Sequence, residues 1–368
     1  MAFDFLSSDQ TLFSNPDALD PDFLPKKLPH REGQQDYIAS AIKPLFHERT
    51  GKAILIHGTP GIGKTAATKR VLQDLEEVES DKKIGIVFLN CWKFNTTYKV
   101  LCEIAHQIGF PFTQNLKTNE VIKKIKNKLA SFDGLVLAFD EIDKADDYDF
   151  LYFVLEEMPR KTIILITNEK NWGAELDNRI RSRLIPEINE FKSYTAKEVF
   201  DILQERKKYA FYDGVWGESS FENLAENAAS YSDIRVGIKL LKVAGEVAES
   251  DSSQKILEKH VTAAVNKIDD FKIKSSTDLT EEEKQILTLC KQRDGDHIGA
   301  LFLAYRRSGG AKSDKTFKRK LEKLEIKGLI ALEQSGAGFK GRSTLVKYSG
   351  LHKKKQEEKS SFKSLDEF

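Results

Sequence analysis

Short apolar runs alternate with helix-length segments along the first half of the chain. The runs are KAILIH (52–57), IGIVFLN (84–90), LVLAFD (135–140), TIILIT (162–167) and LIPEINEF (184–191). Unbroken runs rich in β-branched residues, separated by helical patterns, are typical of parallel strands that are buried on both faces of a sheet. The pattern therefore predicts an α/β fold class with a parallel sheet.

The pattern changes after the last run. Residues 195–269 lack strand-like runs and predict three or four helices. After the polar stretch 274–278, Thr280 is followed three residues later by Glu283, a capping box before another helix. Helical patterns at about 296–307 and 313–327 follow, and GLIALEQ and STLVKYS flank the glycine-rich tip 335–342 as a hairpin. Three helices and a hairpin predict a winged helix-turn-helix.

Composition narrows the class of protein. A chain of 368 residues predicts two or three domains. No apolar run approaches the roughly 20 residues that span a bilayer, and the N-terminus lacks a basic stretch followed by an apolar one, so we expect a cytoplasmic protein without membrane contact. The three cysteines are widely spaced, which supports neither a disulfide framework nor a zinc site.

The charge is unevenly distributed. Residues 271–368 carry 22 Lys and Arg against 14 Asp and Glu, whereas residues 1–270 carry 36 against 43. A basic C-terminal part on an acidic body fits binding to a polyanion, and it fits an ordinary solvated surface equally well.

The segment after the first apolar run matches the phosphate-binding pattern GxxxxGK[ST]. Its residues are Gly58, Thr59, Pro60, Gly61, Ile62, Gly63, Lys64 and Thr65. A strand precedes it and an amphipathic helix follows, as this motif requires. Glycines let backbone N–H groups turn toward phosphates, Lys64 can reach the β- and γ-phosphates, and the Thr65 hydroxyl can bind Mg²⁺. We therefore expect ATP or ADP, with Mg²⁺, at this segment.

Polar residues end two further strands. Asp140 and Glu141 follow LVLAFD, and Asn168 follows TIILIT. Ligands of parallel α/β sheets bind at the carboxyl ends of the strands. Asp140 suits Mg²⁺ coordination, directly or through water, and Glu141 suits polarisation of an attacking water. Asn168 suits orientation of the same water or contact with the γ-phosphate.

Together these motifs and the helical segment after them resemble the AAA+ ATPase module. Further segments are similar to those of the archaeal replication initiators, relatives of the eukaryotic origin recognition complex and its helicase loader. These segments are LPHREGQQDYIASAIKPLF (28–46), LNCWKFNTTYKVLCEIAHQIG (89–109), LDNRIRSRL (176–184) and YSDIRVGIKLL (231–241). In the last of them, Ser232 stands where the family commonly has glycine. The resemblance extends over residues 25–350.

The resemblance implies an AAA+ P-loop parallel-sheet module with a helical lid, followed by a winged helix-turn-helix domain. The N-terminal residues 1–29 show little periodicity and carry four prolines (16, 21, 25 and 29), which predict an extended arm. The further expected segments are the nucleotide-binding α/β domain (30–193), the lid (194–272), the winged-helix DNA-binding domain (278–350) and a polar, disordered tail (351–368).

Roles for several side chains are also implied by the resemblance. Arg235 would reach the ATP site from the lid, and His30 and Arg31 would lie near the adenine. Arg183 is the expected arginine finger onto the γ-phosphate of a neighbouring subunit, with Arg179 and Arg181 as alternatives.

The helix predicted at 313–327 carries the expected DNA-binding face. Phe317, Leu321 and Leu324 form one apolar stripe. Basic side chains lie largely off that stripe, where they can contact phosphates or guanine edges in a major groove. These are Lys315, Lys318, Arg319 and Lys323, with Lys340 and Arg342 at the wing tip. The resemblance adds a second DNA contact at Lys93, Asn95 and Thr96.

The resemblance thus implies an ATP-binding initiator that recognises and remodels double-stranded origin DNA. It would help recruit the MCM-type replicative helicase, act with other initiator subunits at the nucleoid, and use slow ATP hydrolysis as a switch. Two other classes stay open: a signalling STAND-type NTPase whose winged helix only packs against the ATPase module, and a clamp-loader subunit. Steeply salt-dependent binding to duplex DNA separates the first class from the other two.

Overall fold

The structure, a computed structural model, describes residues 11–275, 279–326, 329–334 and 344–348. The chain divides into two compact units. The first unit is Asp22–Ile202, and the second combines the residues before Asp22 with those from Leu203 onward. Within the described ranges, no helix has the length and apolar character needed to cross a membrane.

A five-stranded parallel sheet forms the centre of the first unit. Its strands are β1 (Ala53–His57), β2 (Ile84–Asn90), β3 (Gly134–Asp140), β4 (Lys161–Thr167) and β5 (Glu187–Glu190). They are arranged in the order β2-β3-β4-β1-β5, and every neighbouring pair is parallel. The predicted α/β class and its five strands are confirmed. Because all strands run in one direction, their carboxyl ends lie at one edge of the sheet.

Helices cover both faces of this sheet. They are α1 (Glu32–Ile42), α2 (Lys64–Glu76), α3 (Thr97–Gln107), α4 (Thr118–Leu129), α5 (Asp149–Glu157) and the short α6 (Asn178–Arg181). Strand β3 shows why its run is apolar throughout. Leu137 and Phe139 pack into the core shared with α3, α4 and α5, whereas Val136 and Ala138 pack into the core shared with α1 and α2. Alternating side chains of one strand therefore fill two separate cores.

The sheet is followed by the four helices of the lid. They are α7 (Ala196–Ala210), α8 (Glu218–Ser230), α9 (Ile234–Ser250) and α10 (Glu258–Ser275).

Residues 11–20 differ from the extended arm that the prolines predict. Phe13 forms an antiparallel bridge with Phe211 of the lid, and the two rings lie 4.8 Å apart. Gly245 of α9 leaves room for the Phe13 ring, because a Cβ there would lie 2.3 Å from it. Leu12 and Leu19 are also buried. The segment packs on the lid because its apolar side chains complete the lid core, a gain that the proline count does not reveal.

The C-terminal part consists of three helices and an antiparallel hairpin, in the order that the winged-helix prediction requires. They are α11 (Glu281–Gln292), α12 (Ile298–Arg307), α13 (Asp314–Ile326) and the antiparallel pair β6 (Ile330–Gln334) and β7 (Thr344–Tyr348). The capping box at Thr280 and Glu283 is confirmed. The stripe of Phe317, Leu321 and Leu324 on α13 is fully buried, as predicted. The hairpin tip 335–342 and the tail 351–368 lie outside the described residues.

Candidate nucleotide site and nucleic-acid interface

The phosphate loop connects β1 to α2 at the carboxyl edge of the sheet. A Cβ at Gly58 would lie 2.5 Å from the carbonyl oxygen of Phe191. Gly63 precedes the first turn of α2 with a φ of 87°, a left-handed conformation that favours glycine. Thr59 and Pro60 are exposed, Gly61 is half-buried and Ile62 is buried. The loop therefore lies at the start of a helix, where backbone N–H groups bind anions.

Lys64 lies inside this loop. Its side chain is largely buried, and Nζ donates to the carbonyl oxygens of Gly58 at 2.9 Å and Thr59 at 3.0 Å. Nζ also donates to Oδ1 of Asn168 at 2.9 Å. The two residues meet because β4, which Asn168 follows, is the direct neighbour of β1. The structure thus brings together two side chains that the sequence assigned to phosphate contacts.

Thr65 and Asp140 form the second polar pair of the site. The Thr65 hydroxyl lies 3.1 and 3.0 Å from the two carboxylate oxygens of Asp140. Burial raises the pKa of Asp140, and the hydrogen bond from Thr65 opposes that rise. A nearby cation would offset the cost of burying this carboxylate, and hydroxyl and carboxylate oxygens are ligands that Mg²⁺ accepts.

The donors present suit a partly hydrated magnesium ion. Across the described ranges, no group of three or more His, Cys, Asp or Glu side chains is placed to hold a metal. Mg²⁺ commonly binds through one or two protein oxygens plus phosphate oxygens and water. Thr65 and Asp140 therefore fit Mg²⁺ that enters with a nucleotide.

Glu141 is held by Asn90, a residue with no role among the sequence-based expectations. Its φ of 51° and ψ of 45° place it in the left-handed region, which costs a non-glycine residue about 1 kcal/mol. Asn90 Nδ2 donates to Glu141 Oε2 at 3.1 Å, and Asn90 Oδ1 accepts from the backbone N–H of Trp92 at 2.8 Å. The position of Asn90 could have indicated this role, because it ends β2 and is the register partner of Asp140 on β3.

His30 and Arg31 lie beside the phosphate loop. His30 Nε2 is 2.9 Å from a carboxylate oxygen of Asp201. Arg31 is buried, and its guanidinium donates to the carbonyl oxygens of Ile62 at 3.0 Å, His30 at 3.1 Å and Lys192 at 2.8 Å. Arg31 therefore joins the loop to the segment after β5.

The finger candidates Arg179, Arg181 and Arg183 lie in and just after α6 and are exposed. Arg183 forms an ion pair with Glu156 and donates to the carbonyl oxygen of Arg179 at 3.1 Å. Arg183 and Arg179 also approach the Tyr152 ring, with centroid distances of 5.5 and 5.9 Å. All three arginines keep an exposed position that a neighbouring molecule can reach.

Arg235 and the unusual Ser232 lie at the start of α9. Arg235 forms two hydrogen bonds with the carboxylate of Asp233, at 3.0 and 2.7 Å. Ser232 has a φ of 54°. The serine thus occupies a left-handed position, which explains why glycine suits this place in the similar sequences.

Replacing Ser232 by glycine is expected to raise the free energy of unfolding by about 0.5–1 kcal/mol, because glycine adopts this φ without a Cβ clash. Glu226→Gly, at an exposed position in the interior of α8, is the control and should lower it by a similar amount. Urea unfolding of the two variants measures both changes. A loss of stability in Ser232→Gly would show that the serine side chain itself stabilises the turn.

Asn95 and Thr96, expected to contact DNA, are engaged within the protein. Asn95 donates to a carboxylate oxygen of Asp146 at 2.7 Å and accepts from Lys99 Nζ at 2.8 Å. Thr96 caps α3 by accepting from the backbone N–H of Lys99. Both side chains therefore shape the connection between β2 and α3.

Trp92 and Lys93 are the exposed side chains of that connection. Trp92 is 69% exposed, whereas Trp172 is buried. Lys93 Nζ lies 5.1 Å from the centre of the Phe94 ring. Trp92 was not among the expected DNA contacts, although an aromatic residue directly before a lysine in a loop is a usable signal for nucleic-acid contact.

The basic residues of α13 fall into two groups. Lys315 and Arg319 are exposed, and Lys318 forms an ion pair one turn away within the helix. Lys323 is exposed as well, but its Nζ lies 2.8 Å from the carboxylate of Glu283, which is 2% exposed. The Lys323 ammonium is therefore already engaged within the domain. The expected wing contacts Lys340 and Arg342 lie outside the described residues.

The fold and the site together define an AAA+ module. A phosphate loop follows β1, an acidic pair lies at the end of β3, a polar residue follows β4, and a helical lid comes after the sheet. A family model of the AAA domain matches residues 47–167, and a model of the Cdc6 AAA+ ATPase-type lid domain matches residues 200–266.

Relatives narrow the class to one family. The chain is 31% identical over 365 residues to the ORC1-type DNA replication protein 2 of Methanothermobacter thermautotrophicus, and the match covers 93% of each protein. It is 34% identical over 299 residues to the ORC1-type DNA replication protein 1 of Archaeoglobus fulgidus, covering 77% of this chain and 73% of that protein. The chain belongs to this family of archaeal initiator AAA+ proteins.

A solved structure agrees with this family. The Aeropyrum pernix ORC1 protein in complex with DNA matches with a TM-score of 0.64 and 25% identity, over 93% of this chain and 95% of that one. The resemblance to the archaeal initiators and the expected fold class are therefore confirmed.

Proposed function

We propose that this protein is an ATP-binding replication initiator that recognises and remodels double-stranded origin DNA. The observation that carries the proposal is the meeting of Lys64, Thr65, Asp140 and Asn168 at one edge of the sheet, in a chain that also has a helix-turn-helix with a basic outer face. The names of the ORC1-type relatives and the DNA bound to the A. pernix protein support it.

The nucleotide site supplies the chemistry of a switch. Lys64 would neutralise the β- and γ-phosphates, while Thr65 and Asp140 would hold Mg²⁺, which screens phosphate charge when bound. Glu141 would polarise the attacking water, and Asn168 would orient that water or contact the γ-phosphate. The hydrogen bond from Asn90 restrains the Glu141 carboxylate, so slow hydrolysis that ends an ATP-bound active state suits this arrangement.

Two arginines complete the proposed ATP response. Arg235, on the lid, would sense the nucleotide of its own chain, and Arg183 would act on ATP held by a neighbouring initiator subunit. To do so, Arg183 must exchange its exposed ion pair with Glu156, which costs little because such pairs contribute about 0–1 kcal/mol.

DNA binding is assigned to two surfaces. The outer face of α13 would enter a major groove with Lys315 and Arg319, and Lys318 would follow after giving up its helical ion pair. The exposed Trp92 and Lys93 would make the second contact and distort the duplex. Such an initiator acts at the nucleoid, and we assign it the recruitment of an MCM-type replicative helicase.

The double variant Lys315→Ala with Arg319→Ala is expected to weaken binding to an origin duplex and to lower the salt slope by up to about 2. Each phosphate contact releases counterions from the DNA, so a variant that lacks two contacts releases fewer of them on binding. Fluorescence anisotropy at several salt concentrations, on an origin duplex and a scrambled duplex, gives both quantities.

Lys323→Ala is the matched control on the same helix. It should leave the salt slope unchanged and lower the stability of the domain, because it leaves the buried Glu283 carboxylate without this cation. If Lys323→Ala changes the salt slope as much as the double variant does, then Lys323 also contacts DNA and its assignment to a structural role is wrong. Salt-independent or absent duplex binding by the wild-type protein would overturn the proposed function.

A further inference from the structure

We propose that Arg31 is a positioning residue for the phosphate loop and does not contact the nucleotide base. This inference rests on the proposed function, because it assumes that the loop binds a triphosphate. Arg31 lies immediately before α1 and is 4% exposed, among the most buried charged side chains in the described residues. A guanidinium is kept in such a place only when its N–H groups are satisfied.

The first observation is the set of acceptors. Nε donates to the carbonyl oxygen of Ile62, inside the loop, and a terminal nitrogen donates to that of Lys192, two residues after β5. The other terminal nitrogen donates to the carbonyl oxygen of His30. One rigid, planar group therefore spans from the loop to the segment that follows β5.

The second observation is that this segment runs along the whole loop. At one end of the loop, Gly58 closely approaches the carbonyl oxygen of Phe191. At the other end, a Cβ on Gly63 would lie 2.8 Å from the Tyr194 hydroxyl and 3.9 Å from Arg31 Nε. The backbone of the loop is thus packed against residues 191–194, and Arg31 bridges the two.

The third observation is stacking. The Arg31 guanidinium carbon lies 3.8 Å from the centre of the Tyr194 ring and 5.3 Å from that of Phe191. The N–H groups at the edge of the guanidinium form the hydrogen bonds, and the Tyr194 ring stacks on one of its faces. A lysine ammonium cannot reproduce both the planar fork and the stacking.

These contacts predict a particular defect. Phosphate binding needs the loop N–H groups to converge on one point, and Arg31 restrains the loop backbone through the carbonyl oxygen of Ile62. Without Arg31, part of the free energy of phosphate binding would have to be spent on ordering the loop. The affinity for the phosphate chain should therefore fall by the same factor whatever base is attached.

The test compares Arg31→Lys and Arg31→Ala with the wild-type full chain. The ligands are ATP, inosine triphosphate and inorganic tripolyphosphate, each titrated calorimetrically with Mg²⁺. We expect Arg31→Lys to weaken all three by about tenfold, and Arg31→Ala by more. Arg206→Lys is the control, because Arg206 is another buried arginine that donates to a backbone carbonyl, that of Ala18 in the second unit. It should lower the melting temperature without changing affinity for the three ligands.

Each outcome decides the assignment. Equal losses for the three ligands support positioning. A loss confined to ATP, with inosine triphosphate and tripolyphosphate unaffected, would show a base contact and overturn it, as would unchanged affinity for all three. If the wild-type protein binds none of them, the proposed function fails rather than this inference.

Tyr194→Leu keeps the proposal testable if the Arg31 variants do not fold. It removes the stacking surface but leaves the three hydrogen bonds of Arg31 to the backbone carbonyl oxygens of Ile62, His30 and Lys192. We expect a smaller, equal loss of about threefold for the three ligands. A change for ATP alone, or no change, contradicts the inference.

Discussion

Replacing Lys64 by alanine is expected to weaken ATP binding by roughly 10²–10³-fold, because two or more charge-assisted hydrogen bonds to the phosphates are lost. Lys64 is the cation within the loop, and its Nζ already lies among the carbonyl oxygens of Gly58 and Thr59 and the Asn168 side chain. Titration with a fluorescent ATP analogue measures the loss.

Lys124→Ala is the control for this prediction. Lys124 lies on α4, is exposed and approaches the Phe110 ring at 5.4 Å. It should retain wild-type affinity. Because Lys64 also contacts the loop itself, melting temperatures of both variants must be compared. Tight binding by a folded Lys64→Ala protein would remove the loop from the proposed site.

Glu141→Gln is expected to leave ATP affinity nearly unchanged while lowering turnover by about 10²–10⁴-fold. Glutamine has the shape of glutamate and still accepts from Asn90, but it cannot take up a proton from water. A phosphate-release assay under single-turnover conditions, combined with a binding titration, separates the two effects.

Asn90→Ala is the companion variant. It removes the hydrogen bond to Glu141 and leaves the carboxylate in place. Turnover should stay the same or rise. Normal turnover in Glu141→Gln would show that another group activates the water, and a large fall in Asn90→Ala would show that the amide orients Glu141 productively.

Much of the site could be predicted because its parts are local patterns in the sequence. The phosphate loop is one continuous segment, and Asp140 ends a run whose burial follows from its own composition. The order of the strands then brings Asn168 to Lys64. The sequence could predict that both residues lie at one edge of the sheet, because the carboxyl ends of parallel strands meet there.

Other parts depended on partners that are distant in the sequence. The roles of Asn90 and Arg31 are set by what lies opposite them, Glu141 in one case and the carbonyl oxygens of Ile62 and Lys192 in the other. No repeating sequence pattern links Asn90 or Arg31 to its partners. Lys323 likewise matched the basic face of α13 but is bound by Glu283, from another helix.

The docking of residues 11–20 on the lid has a consequence for how the protein is made. The backbone N–H of Leu12 donates to Glu249, 237 residues later in the chain. At a synthesis rate of about 5–20 residues per second, this segment leaves the ribosome about 10 to 50 s before its partner exists. All of Asp22–Ile202 is translated in that interval. Leu12, Phe13 and Leu19 therefore lack part of their native packing until the lid has been synthesised.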